Sequence, residues 1–275
     1  MKPRAFDYIG AATTEEALQG LARGGEDARV LAGGQSLVPM LNLRLLEPEI
    51  LVDISQIASL AYTRVNAGML EVGAATTQAA LQHHAELESW APLLGAALPH
   101  VGHYETRGRG TVCGSLAHAD PSSELPLCLA TLGGEVVLRS ERGERVLSAQ
   151  AFQLGMLHTD RRPDELVVAA RFPVKSQGTG YAFDEMAQRR GDFAVVAVAC
   201  TVSDGKTRLG VGGIADKPTV REWDGLAGDD VDDALNEFAW ELGGFDDIHA
   251  SASYRRHLVR RLGSRVIEEA NACRS

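Results

Sequence analysis

Short apolar segments alternate with amphipathic ones along the first 175 residues, a pattern that predicts alternating strands and helices. Near the N-terminus, Thr13 and Glu16 have the spacing of a capping box. The helix that they begin carries its apolar residues on one face and ends at Gly24 and Gly25. The other predicted elements of this region are strands over 6–9, 29–31, 50–54, 65–73 (with a turn at 66–68), 135–139, 145–147 and 166–172, and helices from 77 and over 124–132.

The segment Val174–Gly180 is short, polar and glycine-bearing, which predicts a domain boundary. Beyond it, Phe193–Val202 and Thr207–Ile214 are predicted to pair as a hairpin, because Asp204 and Gly205 favour a tight turn. Two helices are predicted after the hairpin, over residues 229–242 and 254–270. The pattern as a whole predicts an α+β protein of about two domains.

The charge and the apolar runs exclude several classes of function. The 275 residues include 27 Lys and Arg against 37 Asp and Glu, a formal net charge of −10. Binding to nucleic acids or anionic membranes needs a basic surface, so neither is expected. The longest apolar run is Phe193–Val202, whereas a membrane span needs about 20 residues. We therefore expect no membrane span and, since no signal-peptide core is visible, a cytoplasmic protein.

The acidic excess is concentrated in one block. Ten acidic residues and no basic residue lie between Arg221 and Arg255, directly before an arginine-rich predicted helix. One interpretation is a solvated helix face that pairs partly with that helix. The other is an acidic surface that steers a partner subunit or an electron acceptor.

The cysteines limit the metal chemistry of the chain. The four cysteines are far apart and form no CxxC pair, at positions Cys113, Cys128, Cys200 and Cys273. Such dispersed cysteines do not suit a zinc site or an iron–sulfur cluster, so no metal ligands are expected. Reduced thiols of a cytosolic protein are the natural interpretation.

Two glycine-bearing segments are candidates for binding an anion. They are Ala32–Ser36, which follows a predicted strand, and Arg107–Ser115. Adjacent glycines let successive N–H groups turn toward one point, so two such loops suit a pyrophosphate approached from both sides. Neither segment has the spacing of the dinucleotide or P-loop motifs, which disfavours those folds. The alternative is that each segment is simply a turn.

Asp120 and Glu124 follow the second segment. Their carboxylates would repel a phosphate but could accept hydrogen bonds from ribose hydroxyls. Alternatively, Asp120 or Ser122 caps the helix predicted to begin near Glu124. The two roles are compatible.

AGGQSLVP (Ala32–Pro39) followed by RGTVCGSLAHADPSSELP (Arg109–Pro126) resembles the FAD-binding medium subunit of the molybdenum hydroxylases, such as carbon monoxide dehydrogenase and xanthine dehydrogenase. The resemblance spans nearly the whole chain and includes RRGDFAVVAVA (Arg189–Ala199). It implies a vanillyl-alcohol-oxidase-type (PCMH-like) FAD-binding domain over 1–176, made of two α/β lobes (about 1–57 and 58–176). A small α+β C-terminal domain over 177–275 would follow.

The resemblance implies FAD as cofactor, bound between the lobes. The implied cofactor-binding residues are Leu31, Ala32, Gly33, Gly34, Gln35, Ser36, Leu37, Thr111, Cys113, Gly114, Ser115, Asp120, Glu124, Leu166, Val167 and Phe193. Residues 32–37 would line the diphosphate and flavin, and residues 111–115 would form the second loop. Asp120 and Glu124 would lie near the ribose–adenine end, whereas Phe193 would cover one face of the flavin.

Leu166 or Val167 would touch the adenine or flavin region, by the same resemblance. Cys113 stands where the family commonly has a glycine. Either this position does not need a positive φ, or the second loop adjusts around it.

The implied function is electron transfer rather than catalysis by a side chain. A partner small subunit would carry [2Fe–2S] clusters, a large subunit would carry molybdopterin, and the assembly would be a dimer of heterotrimers. This chain would take electrons from the clusters and pass them through FAD to an external acceptor. The alternatives are a self-contained FAD-dependent oxidase or reductase, and a module that has lost FAD.

Overall fold

Three parallel strands and two helices form the N-terminal lobe. The computed structural model describes residues 2–228 and 230–274. The elements of this lobe are β1 (Asp7–Gly10), α1 (Thr14–Gly24), β2 (Ala28–Leu31), α2 (Leu37–Asn42) and β3 (Ile50–Asp53). β3 lies in the middle and pairs in parallel with β1 and with β2. α1 covers this sheet with its buried apolar face.

The predicted capping box begins α1. The Thr13 hydroxyl accepts a hydrogen bond from the Glu16 N–H at 3.2 Å. The Glu16 carboxylate reaches back to the N–H of Ala12, one residue earlier than in the usual box, at 2.8 Å. Gly25 ends the helix with φ of 50°, as the sequence predicts.

A five-stranded antiparallel sheet and seven short helices form the second lobe, counted over the residues that the structure describes. Its elements are β4 (Thr63–Asn66), β5 (Met69–Gly73), α3 (Gln78–Gln82), α4 (Leu87–Trp90), α5 (Pro92–Ala97), α6 (Tyr104–Arg109), α7 (Val112–His118), α8 (Glu124–Leu132), β6 (Glu135–Ser140), β7 (Gly143–Ser148), α9 (Ala149–Phe152), β8 (Gln153–Gly155), β9 (His158–Thr159) and β10 (Leu166–Pro173). The sheet order is β4-β5-β10-β6-β7, and β8 pairs with β9 separately. α7 and α8 pack against β10 at the centre of this sheet.

The C-terminal region is an antiparallel sheet with helices on both faces. Its elements are β11 (Gly180–Ala187), β12 (Ala194–Ser203), β13 (Lys206–Gly212), β14 (Thr219–Asp224), α10 (Asp230–Leu242) and α11 (Ala252–Ala272). α10 and α11 build one apolar core on the sheet. The other face of the sheet contacts the second lobe, because α5 and α8 of that lobe pack on β11, β12 and β13.

The described acids of the block lie on β14 (Glu222 and Asp224), on α10 and in the loop after α10. Arg221 of β14 forms ion pairs with Glu237 and Glu241, and Arg255 of α11 pairs with Asp247 at 2.6 Å. The predicted pairing with the arginine-rich helix is thus present at one described acid, whereas β14 and β13 supply the other partners, with Lys206 and Arg208 of β13 pairing with Glu222. Asp229, the predicted start of the helix, lies outside the described residues.

Across residues 2–228 and 230–274, no helix combines the length and the apolar character that a membrane crossing requires. The longest helix, α11, carries arginines along much of its length.

Candidate functional site

A cavity of about 1220 Å³ lies between the two N-terminal lobes and the C-terminal region. It exceeds the volumes of about 300–1,000 Å³ that are usual for small-molecule sites. Fourteen of the sixteen residues that the sequence indicates line it: Ala32, Gly33, Gly34, Gln35, Ser36, Leu37, Thr111, Cys113, Gly114, Ser115, Glu124, Leu166, Val167 and Phe193. The fold therefore brings both glycine-bearing segments and the aromatic residue of the C-terminal region to one place.

Leu31 and Asp120 are not among the lining residues. Leu31 belongs to β2, and its carbonyl accepts a hydrogen bond from the Ile54 N–H at 2.9 Å. The Asp120 carboxylate accepts from the Ser122 N–H at 2.8 Å and so stabilises the turn before α8. Asp120 and Ser122 do not cap α8, since Ser123 occupies the N-cap position.

The first glycine-bearing segment is a tight turn between β2 and α2. Gly33 lies against the backbone of Arg109 and Gly110, where a side chain would not fit. Gly34 has a φ of 70°, in the left-handed region. Among the described residues, none accepts a hydrogen bond from the N–H groups of residues 34–37. The turn therefore offers several free backbone donors at the edge of the cavity, as the sequence predicts.

The second segment is not a glycine nest, which corrects the sequence expectation. It consists of α6 and α7, and Thr111 caps α7 by accepting the Gly114 N–H at 3.0 Å. The Val112 N–H donates to the Thr76 carbonyl and the Ser115 N–H to the Thr111 carbonyl. These three donors are bonded within the protein, whereas among the described residues none accepts a hydrogen bond from the Cys113 N–H.

Cys113 lies within α7 and is buried. Its backbone is helical, so this position does not need the positive φ that a glycine would allow. The thiol lies 3.5 Å from the Val72 carbonyl oxygen, and burial raises its pKa to about 12. Such a thiol is protonated and packed, in agreement with the interpretation of Cys113 as a structural residue.

The cavity is also lined by two arginines that no sequence motif indicates. Arg29, near the start of β2, and Arg161, after β9, both border it. Burial lowers the pKa of Arg161, and the neighbouring positive charge of Arg29 lowers it further. Each guanidinium also donates to backbone carbonyls, for example from Arg161 to the Glu165 carbonyl at 2.8 Å. No sequence signal distinguishes these arginines, because only the fold brings them together.

The arginines of the second glycine-bearing segment do not line the cavity. Arg107 donates to the Gln82 side chain at 2.8 Å and to the Val101 carbonyl at 2.9 Å, which anchors α6. Neither Arg107 nor Arg109 is among the lining residues.

Two buried polar side chains face the cavity, those of Gln78 and Glu124. The Oε1 atom of Gln78 is buried, and within the described residues it accepts no hydrogen bond. Glu124 is buried at the start of α8, and burial raises the pKa of its carboxyl to about 8. A bound molecule with donor and acceptor groups would satisfy both residues.

A family model described as the FAD-binding domain in molybdopterin dehydrogenase matches residues 4–175. The chain belongs to this family of FAD-binding domains. The match confirms the predicted family, FAD as the cofactor, and the predicted class of an oxidoreductase component. As a member of the family, the chain has a cavity whose free donors, cationic side chains and volume fit an elongated dianionic dinucleotide such as FAD.

Relatives of this FAD-binding family match the chain from end to end. The chain is 36% identical to the 6-hydroxypseudooxynicotine dehydrogenase complex subunit alpha of Paenarthrobacter nicotinovorans, covering 98% of this chain and 96% of that protein. It is 33% identical to the carbon monoxide dehydrogenase medium chain of Afipia carboxidovorans, covering 99% of both.

A solved structure confirms the fold class. A chain of quinoline 2-oxidoreductase from Pseudomonas putida 86 superposes with a TM-score of 0.92 at 33% identity, covering 99% of each chain. The α+β architecture of a FAD-binding domain followed by a small C-terminal domain is therefore shared over the full length.

Proposed function

We propose that the chain is the electron-transfer subunit of a heterotrimeric molybdenum hydroxylase. It takes electrons from [2Fe–2S] clusters of a partner small subunit and passes them through FAD to an external acceptor, while a large partner subunit carries molybdopterin. The observation that carries this proposal is the interlobe cavity with its row of free N–H donors at residues 34–37. FAD, when bound, supplies a redox centre that accepts electrons singly or in pairs.

The lining residues divide between phosphate binding and the aromatic end. The free N–H groups of the turn after β2 and the side chains of Arg29 and Arg161 hold the diphosphate by charge-assisted hydrogen bonds. The Gln78 Oε1 atom accepts from a donor of the cofactor. Phe193, which is 66% exposed at the cavity rim, shields one face of the flavin ring from water.

The names of the relatives favour an electron-transfer subunit over a self-contained oxidase. Relatives named as a medium chain and as a subunit of a dehydrogenase complex are matched over 96–99% of their length. We therefore keep the self-contained FAD-dependent oxidase or reductase as the alternative only.

We also propose the assembly and the division of the chain that the resemblance implies. The assembly is a dimer of heterotrimers in the cytoplasm, and the four reduced cysteines agree with that compartment. The FAD-binding domain covers 1–176, with lobes at about 1–57 and 58–176, and the C-terminal domain covers 177–275. β3 ends before the first lobe boundary and β11 begins after the second boundary, which supports this division.

Co-purification with flavin and metal analysis tests the proposal. We expect a complex of this chain with two further chains that contains FAD, iron and molybdenum. The chain purified alone is expected to bind FAD and to oxidise no organic substrate. A colourless monomer that binds no FAD would overturn the proposal, and substrate oxidation by the isolated chain would favour the alternative.

A further inference from the structure

Glu124 belongs to a buried acidic cluster where the second lobe meets the C-terminal sheet. Glu124 begins α8, is 6% exposed and lines the cavity. On the other side of the interface, Glu185 of β11 has a side chain that is 5% exposed, and its Oε1 atom lies 3.2 Å from Nδ1 of His100. The second oxygen of Glu185 is buried and has no partner within residues 2–228 and 230–274.

Most of the side chains around Glu124 are acidic or neutral. Asp120 approaches from the preceding turn, Glu185 from β11 and His100 from the turn after α5, and Cys128 lies one turn further along α8. Arg208 of β13 donates to the Ala130 carbonyl near the other end of the helix. Burial is the main reason why the pKa of Glu124 is raised, and repulsion from Glu185 and Asp120 adds to it. A hydrogen bond from the backbone N–H of Glu124 itself and the nearby His100 act in the opposite direction.

Two carboxyl groups that share a buried site do not both ionise readily, so one of them keeps a proton. The Oε1 atom of Glu185 has the Nδ1 atom of His100 as a partner at 3.2 Å. Glu124 has no protein side chain in such a position, and its environment favours the neutral acid. A neutral carboxylic acid donates one hydrogen bond, whereas a carboxylate only accepts.

We propose that Glu124 faces the bound FAD as a neutral carboxylic acid that donates a hydrogen bond to it, and that Glu185 is the positioning residue that keeps the proton on Glu124. The inference rests on the proposed binding of FAD in this cavity. It replaces the sequence expectation that Glu124 accepts hydrogen bonds from ribose hydroxyls. It also removes the repulsion that a buried carboxylate would exert on the dianionic cofactor.

The proposal predicts that FAD binding depends on pH. Ionisation of Glu124 removes the donor and places a negative charge beside the cofactor, so the dissociation constant of FAD rises as the pH passes the pKa of Glu124. The limiting slope for the loss of one proton is tenfold per pH unit. Binding above that pH takes up a proton, because the complex holds one that the free protein has released.

Titration of the FAD-free full chain with FAD at pH 6.5 to 9.5, followed by flavin fluorescence, tests the proposal. Glu124→Gln keeps a neutral donor, so its affinity for FAD is expected to be independent of pH. Glu185→Gln removes the repulsion between Glu185 and Glu124. The affinity of this variant for FAD is therefore expected to begin to fall at a lower pH than that of the wild type. Glu86→Gln removes an exposed carboxylate that does not line the cavity and is expected to behave as the wild type.

Calorimetry in buffers of different ionisation enthalpy gives a second measurement. At pH 8.5 the wild type is expected to take up a proton on binding FAD, and Glu124→Gln none. A wild-type affinity that does not change with pH, or a Glu185→Gln profile that is not displaced, would overturn the inference while leaving FAD binding intact. If the wild type binds no FAD at any pH, the proposed function fails instead. The Glu185→Gln profile decides the question even if Glu124→Gln does not fold.

Discussion

Gly33 lies so close to Arg109 that a Cβ atom on Gly33 would stand 2.1 Å from the Arg109 carbonyl oxygen. The contact joins the first lobe to the second lobe through backbone atoms alone, at the edge of the cavity. It holds the turn whose N–H groups face the proposed diphosphate site. The two lobes can approach this closely only because Gly33 has no side chain.

Gly33→Ala is therefore expected to displace this turn. The added methyl group would also lie 2.7 Å from the Gly110 Cα atom, and overpacking of this kind costs about 1–3 kcal/mol. A cost of about 1.4 kcal/mol makes the dissociation constant about tenfold larger, so we expect the affinity for FAD to fall about tenfold or more. Gly108→Ala is the matched control, since a Cβ atom there meets no atom within 4 Å. Equal affinities of the two variants would show that the contact does not set the site.

Arg29→Gln is expected to weaken the binding of FAD but not of riboflavin, which has no diphosphate. A charge-assisted hydrogen bond contributes about 1.5–3 kcal/mol, which predicts a loss of about tenfold or more for FAD. The control is Arg23→Gln, an exposed arginine at the end of α1 that does not line the cavity. An equal loss for riboflavin would place Arg29 at a different part of the cofactor.

Phe193→Ala is expected to leave the fold intact and to expose the flavin. Because Phe193 is already 66% exposed, the free energy of unfolding should change by no more than about 0.5 kcal/mol. Quenching of the flavin fluorescence by iodide is expected to increase in this variant. Tyr104→Ala removes a ring that is 70% exposed and does not border the cavity, and it should leave quenching unchanged.

Glu124 is expected to make the stability of the FAD-free protein depend on pH. The folded state keeps its proton up to about pH 8, whereas the unfolded state releases it near the ordinary pKa of 4.5. The free energy of unfolding should therefore fall as the pH rises between these two values, and the stabilisation at low pH is lost by about pH 8. The fall is on the order of a few kcal/mol, at about 1.4 kcal/mol per pKa unit.

Thermal unfolding between pH 5 and pH 8.5 checks this prediction. In Glu124→Gln the fall should be markedly smaller, and the variant should be more stable than the wild type at pH 8. A variant that keeps the full pH dependence would assign the effect to other groups.

The cysteines are expected to differ sharply in reactivity. Cys273 is exposed, whereas Cys113, Cys128 and Cys200 are buried and burial raises the pKa of each thiol. Only one thiol of the native protein should react with an aromatic disulfide reagent at pH 8, because the thiolate is the reactive form. Cys273→Ser should react only after unfolding, and a fast native reaction of this variant would contradict the buried positions.

The predictions from sequence succeeded where local pattern decides the structure. The Thr13 cap, the Asp204–Gly205 hairpin turn and the range of α8 depend on neighbours within a few residues, and all three are present. β11 and β14 were missed because polar residues interrupt their alternation. The second glycine-bearing segment was mistaken for a loop, since its helices α6 and α7 are short and are held by Thr111 and by the Arg107 side chain.

By itself, the sequence determined the family, the cofactor and the turn that offers backbone donors, because these depend on consecutive residues with an unusual composition. Only the tertiary structure decided which charges face the cavity. Arg29 and Arg161 meet there, and Arg107 does not, because packing of distant segments selects which side chains reach the site. The proton on Glu124 is decided in the same way. Its desolvation comes from the packing around α8, and the repulsion that adds to it comes from a strand of the other domain.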